Sequence, residues 1–255
     1  AVASTGGQLM PPVMGAAAFL MAEFLQVAYG DVLLAALIPS VLYYAALFVQ
    51  VDLYAAKHGI KAPSGTVLPA ILKTVRQGWH FALPFALFLY MLFAFNAPPG
   101  FAALCASALL VVTTMIFGYG GEKAQPTQLA AAALRVGESA VDILAITAGA
   151  GIVIGVLNIS GLAFSLSMDM VQMSGGNLGV LLVVTAVASI VLGMGMPTVG
   201  VYVLLATLVA PALIEAGVTP MAAHLFVLYF GMLSMITPPV AIAAFAAANI
   251  ANASL

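Results

Sequence analysis

Charge is nearly missing from this chain. Six Lys or Arg and eight Asp or Glu serve 255 residues, so 5% of positions are charged, against about a quarter in a soluble domain. A water-facing surface cannot be built from so few. With 64% hydrophobic residues and a mean hydropathy of +1.20, the composition is that of an all-α, polytopic transmembrane protein. A lipid-spanning β-barrel would show alternating segments of about ten residues, and none is present. The net charge of −2 is too small for a nucleic-acid partner. Cysteine occurs once, so no intrachain disulfide can form; Cys105 lies in an apolar run and reads as a buried small hydrophobe. No phosphate loop for ATP, no metal-ligand spacing and no Ser/His/Asp or Cys/His set occurs, so neither an enzyme nor an organic cofactor is expected. Met194 and Met196 read as packing residues.

What the sequence does have is interrupted apolar runs. Phe230–Ala251 is uncharged, yet Thr237-Pro238-Pro239 sits in its middle. Two successive prolines remove two backbone donors and clash with the preceding turn, and each disfavours the α region for the residue before it. In hydrocarbon such a break is tolerated only where it faces protein or a water-filled cavity. The stretch reads as two half-helices meeting at a functional site. Met10-Pro11-Pro12-Val13 repeats the pattern, followed by the same kind of small-residue run and a phenylalanine. With proline favoured at the first helical position, each Pro-Pro pair is expected to open its second half-helix. A third break falls at Gly193-Met194-Gly195-Met196-Pro197-Thr198, because Leu178–Ile214 is too long for one span of a core about 30 Å thick. Between Ala140 and Met168, Asn158-Ile159-Ser160-Gly161 places turn residues inside an apolar run; a re-entrant hairpin with its tip there is expected, a short complete span being the plainer alternative.

The remaining spans are Asp31–Val51, with a kink at Pro39, Trp79–Phe95 and Phe101–Tyr119. Between them lie two Lys/Arg-bearing connections: Asp52–Gly78, read as a loop plus an amphipathic interfacial helix, and Gly120–Glu138. The short Asn96–Gly100 turn puts both on one face, and the positive-inside rule makes that face cytoplasmic. Trp79 and His80 read as an interfacial belt, Asp142, Asp169 and Glu215 as interfacial acids, and His224 as a satisfied polar residue at a helix start. Glu23 lies deep enough for either a coupling role or that of a hydrogen-bonded structural acid. The chain begins AVASTGGQLMPP, without an initiator methionine or a basic leader, and is expected to be part of a longer protein.

Interrupted membrane helices mark the binding site of many secondary transporters. Each break bares carbonyl oxygens that can replace a cation's water shell. It also bares the N–H end of a half-helix, which suits an anion. The hydroxyls of Thr198, Ser234 and Thr237 are suitable neutral ligands for Na⁺. A lone proline or GxxxG would more often serve packing; a Pro-Pro pair twice within charge-free runs favours a site.

The stretches LGMGMPTVGVYVLLATLVAPAL (Leu192–Leu213), AAHLFVLYFGMLSMITPPVAIAAFAAANIA (Ala222–Ala251) and STGGQLMPPVMGAAAFLMAEF (Ser4–Phe24) resemble the large, DctM-like permease subunit of tripartite ATP-independent periplasmic (TRAP) transporters. They are most similar to the fused permeases that work with TAXI-type receptors. The resemblance implies a Na⁺-driven importer of small organic anions in a bacterial or archaeal inner membrane. It also implies a periplasmic solute-binding protein and a small membrane subunit, fused or separate, as partners. The implied fold has two inverted repeats moving as an elevator against a scaffold. Residues 1–30 would end the first repeat, 31–139 would be scaffold and 140–255 the second repeat. Substrate and Na⁺ would meet Thr5, Gly6, Gly7 and Gln8 of the first break, Gly193, Gly195, Pro197 and Thr198 of the second, and Ser234, Thr237, Pro238 and Pro239 of the third. Asn158 and Ser160 would sit at the hairpin tip. Most of the first half-site would lie before Ser4, so the chain alone is not expected to transport. The other reading, a channel or structural membrane subunit, leaves the breaks to packing only.

Overall fold

The computed structural model describes residues 2–12, 14–60, 71–118 and 123–252. These form helices and turns, with no strand among the described residues. In chain order the helices are α1 (Val2–Gly6), α2 (Ala16–Leu25), α3 (Tyr29–Lys57), α4 (Ile71–Gly78), α5 (Ala82–Ala94), α6 (Pro99–Ile116), α7 (Pro126–Ser160), α8 (Leu162–Met173), α9 (Leu178–Gly193), α10 (Thr198–Leu208), α11 (Ala210–Glu215), α12 (Pro220–Leu233) and α13 (Ile242–Ala251). Two helices, Tyr29–Lys57 and Pro99–Ile116, are each long and apolar enough to cross a membrane; Gly151–Leu157 with Leu162–Met173 would add a third if that bent pair is one span.

The chain divides into two compact units, residues 1–48 with 143–255, and residues 49–142. The second unit begins at Val49, inside α3.

In the first unit α9, α10, α11 and α12 pack around Leu181, Val201, Leu205, Val209, Leu213 and Val227, with α2 laid on α10 and α12. Helix α9 shows how lipid reverses the usual amphipathicity. Its large residues Val180, Val183, Val187 and Val191 face outward, while Leu181, Thr185 and Ser189 are buried. Small and hydroxylated residues let membrane helices approach closely. Both buried hydroxyls satisfy themselves by donating one turn back, Thr185 Oγ1 to Leu181 O and Ser189 Oγ to Thr185 O, at 2.7 Å each. The buried histidine is also satisfied: His224 Nδ1 and the Tyr202 hydroxyl share a hydrogen bond of 2.8 Å.

In the second unit α5 and α6 pack as a pair. Here the belt expectation is half corrected. Trp79 is exposed, but His80 is 1% exposed, its ring packed 4.3 Å from that of Phe81 and 5.8 Å from that of Phe117, centroid to centroid. A histidine flanked by large rings is covered by them, whichever residue precedes it. Cys105 is half-buried rather than enclosed.

Several boundaries differ from the expectation. Helix α3 runs six residues beyond Val51, through Asp52 to Lys57. Helix α7 starts at Pro126, inside the connection expected over Gly120–Glu138, because Leu129 to Leu134 is a run of strong helix formers. At the expected hairpin tip the chain bends by 69° between Gly151–Leu157 and Leu162–Met173, as in a broken span or a re-entrant loop, with Gly161 at φ 69°. Lys61 to Ala70, within the expected connection Asp52–Gly78, and Tyr119 to Glu122 and Val13 lie outside the described residues.

Tyr202→Phe removes the hydroxyl bonded to His224 and leaves a buried ring nitrogen without that partner, which costs about 1–3 kcal/mol. The purified protein should unfold at a lower temperature, measured in a thermal ramp; an unchanged midpoint would mean that His224 finds another partner.

Candidate functional site

The first break occupies the residues between α1 and α2. Helix α1 unwinds through tight turns, with Gly7 N on Ser4 O (3.2 Å), Gln8 N on Thr5 O (3.2 Å) and Leu9 N on Gly6 O (2.9 Å). Contrary to the expectation of a proline at the first helical position, α2 begins only at Ala16, after an extended Gly15 (ψ 167°). The Pro11-Pro12 bond is cis, as is Pro238-Pro239. All four prolines lie outside the flanking helices, where no intrahelical bond needs the backbone donor they lack.

Carbonyls bared here have specific partners. The Tyr43 hydroxyl donates to Val2 O (2.9 Å), Tyr44 to Ala3 O (3.1 Å), Tyr229 to Leu9 O (3.3 Å) and Tyr29 to Pro12 O (3.4 Å). Sequence reasoning passed over these four tyrosines. A signal was present, because a phenol placed in an apolar span needs a hydrogen-bond partner, and a broken helix supplies one.

The second break runs from Met194 to Pro197. Met194 is extended (φ −64°, ψ 132°) and Pro197 precedes α10 in extended form (ψ 156°). Between them Gly195 takes φ 82°, a left-handed conformation costing other residues about 1–2 kcal/mol. The opening amides of α10 therefore face the break with the positive end of the helix dipole. At the third break α12 tightens into a 3₁₀ turn at Ser234–Ile236, after which Thr237 is extended (φ −100°, ψ 128°), as a residue before proline prefers. Helix α13 starts at Ile242, not at the prolines, after Ala241 in a left-handed conformation with φ 39°.

These breaks meet. The Thr198 hydroxyl donates to Gln8 Oε1, joining the second break to the first. A Cβ placed on Gly193 would stand 2.8 Å from Ser234 Oγ and 3.0 Å from Gly231 O, so the second and third breaks touch at a point where only glycine fits. Ser234 and Thr237 donate their protons to Gly231 O (2.6 Å) and Leu233 O (2.7 Å), leaving their oxygens as acceptors. A cavity of about 500 Å³ opens between the first and third breaks, with Ser4, Thr5 and Gln8 on one wall and Met235 and the Ile242, Ala243, Ala246, Ala247, Ile250 face of α13 on the other. No lining residue is charged.

Not every expected site residue belongs to this meeting point. Thr5, Gln8, Gly193, Thr198 and Ser234 do; Thr237 is half-buried beside it. Gly6 turns away, onto the Tyr43 and Tyr44 rings. Gly7, Gly195, Pro197, Pro238 and Pro239 are exposed at the breaks. Ser160 is exposed too, its hydroxyl bonded locally to Leu157 O at 3.1 Å, and the Asn158 side chain lies outside the described residues. Glu23 is exposed on α2, so it is not a buried carboxylate. Among the described residues no group of His, Cys, Asp and Glu could hold a metal ion.

A helical membrane protein whose broken helices meet beside an uncharged cavity has the build of a secondary permease. The family comparison makes this specific: the model of the tripartite ATP-independent periplasmic transporter, DctM component, matches residues 1–255. The chain belongs to this family and is therefore the membrane permease component of a TRAP transporter. Comparison with curated proteins returned no match.

Gly193→Ala should separate the second and third breaks, at about the 1–3 kcal/mol typical of overpacking. Gly200→Ala is the contrast, since its Cβ would meet nothing closer than 3.9 Å. Thermal unfolding should show a clear loss for the first and none for the second.

Proposed function

We propose that this permease is Na⁺-coupled and imports a small organic anion, a carboxylate, handed over by a periplasmic solute-binding protein of the TAXI type. A small membrane subunit, fused or separate, completes the assembly in a bacterial or archaeal inner membrane. The observation that carries this reading is the junction of three breaks, tied by the Thr198–Gln8 hydrogen bond and the Gly193–Ser234 approach. The chemistry of the junction suits the two solutes separately. Na⁺ is held by neutral oxygens, and the carbonyls of the breaks with the Ser234 and Thr237 hydroxyls supply them. A carboxylate needs donors, and the opening amides of α10 with the positive dipole end of that helix supply those. The uncharged cavity beside Ser4, Thr5 and Gln8 leaves room for the body of the anion. In the elevator mechanism the unit carrying the breaks would move as a body.

The alternative, a channel or structural subunit, leaves the breaks without solute. The test is Na⁺ itself. Purified permease titrated with NaCl against KCl at constant ionic strength should gain thermal stability, because a ligand bound only by the folded state stabilises it by mass action. Thr198→Ala or Thr237→Ala should weaken that gain and the Na⁺-driven uptake of a panel of mono- and dicarboxylates by receptor-supplied proteoliposomes, while expression is retained. Uptake and Na⁺ response unchanged in both variants would overturn the site assignment.

A further inference from the structure

The four tyrosines at the first break follow a register. Pro12 is held by Tyr29, Leu9 by Tyr229, whose hydroxyl also reaches Ala36 O (3.3 Å), Ala3 by Tyr44 and Val2 by Tyr43. As the position along α3 rises from 29 through 36 to 44, the position along the bound segment falls from 12 through 9 to 3. Residues 2–12 are therefore laid antiparallel along α3 and fastened at three levels. Tyr29 and Tyr43 are 14 residues apart, about 21 Å of helix, so the fastening covers most of a membrane's thickness. Gly6 sets the rotation of the segment: a Cβ there would come within 2.5 Å of Tyr43 Cε1 and 3.0 Å of the Tyr44 hydroxyl oxygen. With Gly6 turned onto α3, Ser4, Thr5 and Gln8 line the cavity. Tyr43 and Tyr229 also border an apolar cavity of about 630 Å³, which offers their hydroxyls little competing polarity.

We propose that α3 is a splint for the first break, and that Tyr43, Tyr44 and Tyr229 are positioning residues that hold Thr5 and Gln8 in the transport site through the backbone they bind. The inference rests on the reading of the three breaks as that site. Loss of a hydroxyl leaves the ring in its slot and the backbone carbonyl free, so the segment gains freedom to shift or rotate while the packing stays.

The experiment uses the Na⁺-dependent rise in thermal midpoint of the purified permease, titrated with NaCl against KCl. The double variant Tyr43→Phe/Tyr44→Phe and the single variant Tyr229→Phe should need roughly two- to tenfold more Na⁺ for half the effect, the range expected for lost hydrogen bonds of ordinary strength. Gly6→Ala, which rotates the segment off the rings, should do the same. Tyr90→Phe, an exposed tyrosine on α5, should not. A merely structural role would lower the midpoint equally in NaCl and KCl and leave half-saturation where it was. That result, with Thr198→Ala still shifting the Na⁺ response, overturns the splint and spares the site. No Na⁺ response in the parent protein, or none lost in Thr198→Ala, overturns the site and the splint with it.

Discussion

A backbone amide or carbonyl in hydrocarbon has no water to turn to, and leaving it unpaired costs several kcal/mol. Everything distinctive in this permease follows from breaking helices under that constraint. An intact helix such as α6 pairs its own backbone and needs little from its neighbours; its residues are mostly exposed. Each break, in contrast, has to recruit partners. The first takes tyrosine hydroxyls. The third takes its own threonine and serine, which bond back onto the helix they leave. The second takes Gln8 from the first through Thr198. That side-chain bond joins the first two breaks, and the Gly193–Ser234 approach joins the second to the third.

The same constraint explains the distribution of side-chain size. Large aliphatic residues decorate the outer face of α9, and within the Leu and Val core of its unit glycines and self-satisfied hydroxyls occupy the closest helix contacts. A Cβ on Gly231 would stand 2.6 Å from Leu205 and 2.7 Å from Val201, both fully buried. Between helices surrounded by lipid there is no hydrophobic gain from exchanging one apolar neighbour for another, so close approach and hydrogen bonding carry the packing.

Much of this was legible in the sequence. Composition alone fixes the class, because so little charge admits no aqueous surface. The three breaks could be placed because proline and glycine act locally, through a missing donor or a permitted φ, and Gly195 and Pro197 do so whatever surrounds them. Helix ends were read less well. The half-helices α2 and α13 start four and three residues after their proline pairs, since the rule of proline at the first helical position takes no account of a second proline beside it. At Asn158–Gly161 the turn residues announce a change of direction but not its angle, which is 69°. Least legible were the partners. Gln8 and Thr198 are 190 positions apart, and no local pattern connects them. The tyrosines were visible as phenols in an apolar span, but the carbonyls they hold belong to a segment up to 41 residues away, or 220 for Tyr229.

The uncharged cavity wall has a consequence for acidity. Serine, threonine, glutamine, methionine, alanine and isoleucine, which make up that wall, neither gain nor lose a proton across the range in which cells live. Such a wall is indifferent to the pH on either side of the membrane. Where transport by this permease varies with pH in that range, the wall contributes nothing by titration; the ionisation of the solute, or of groups elsewhere, sets the profile.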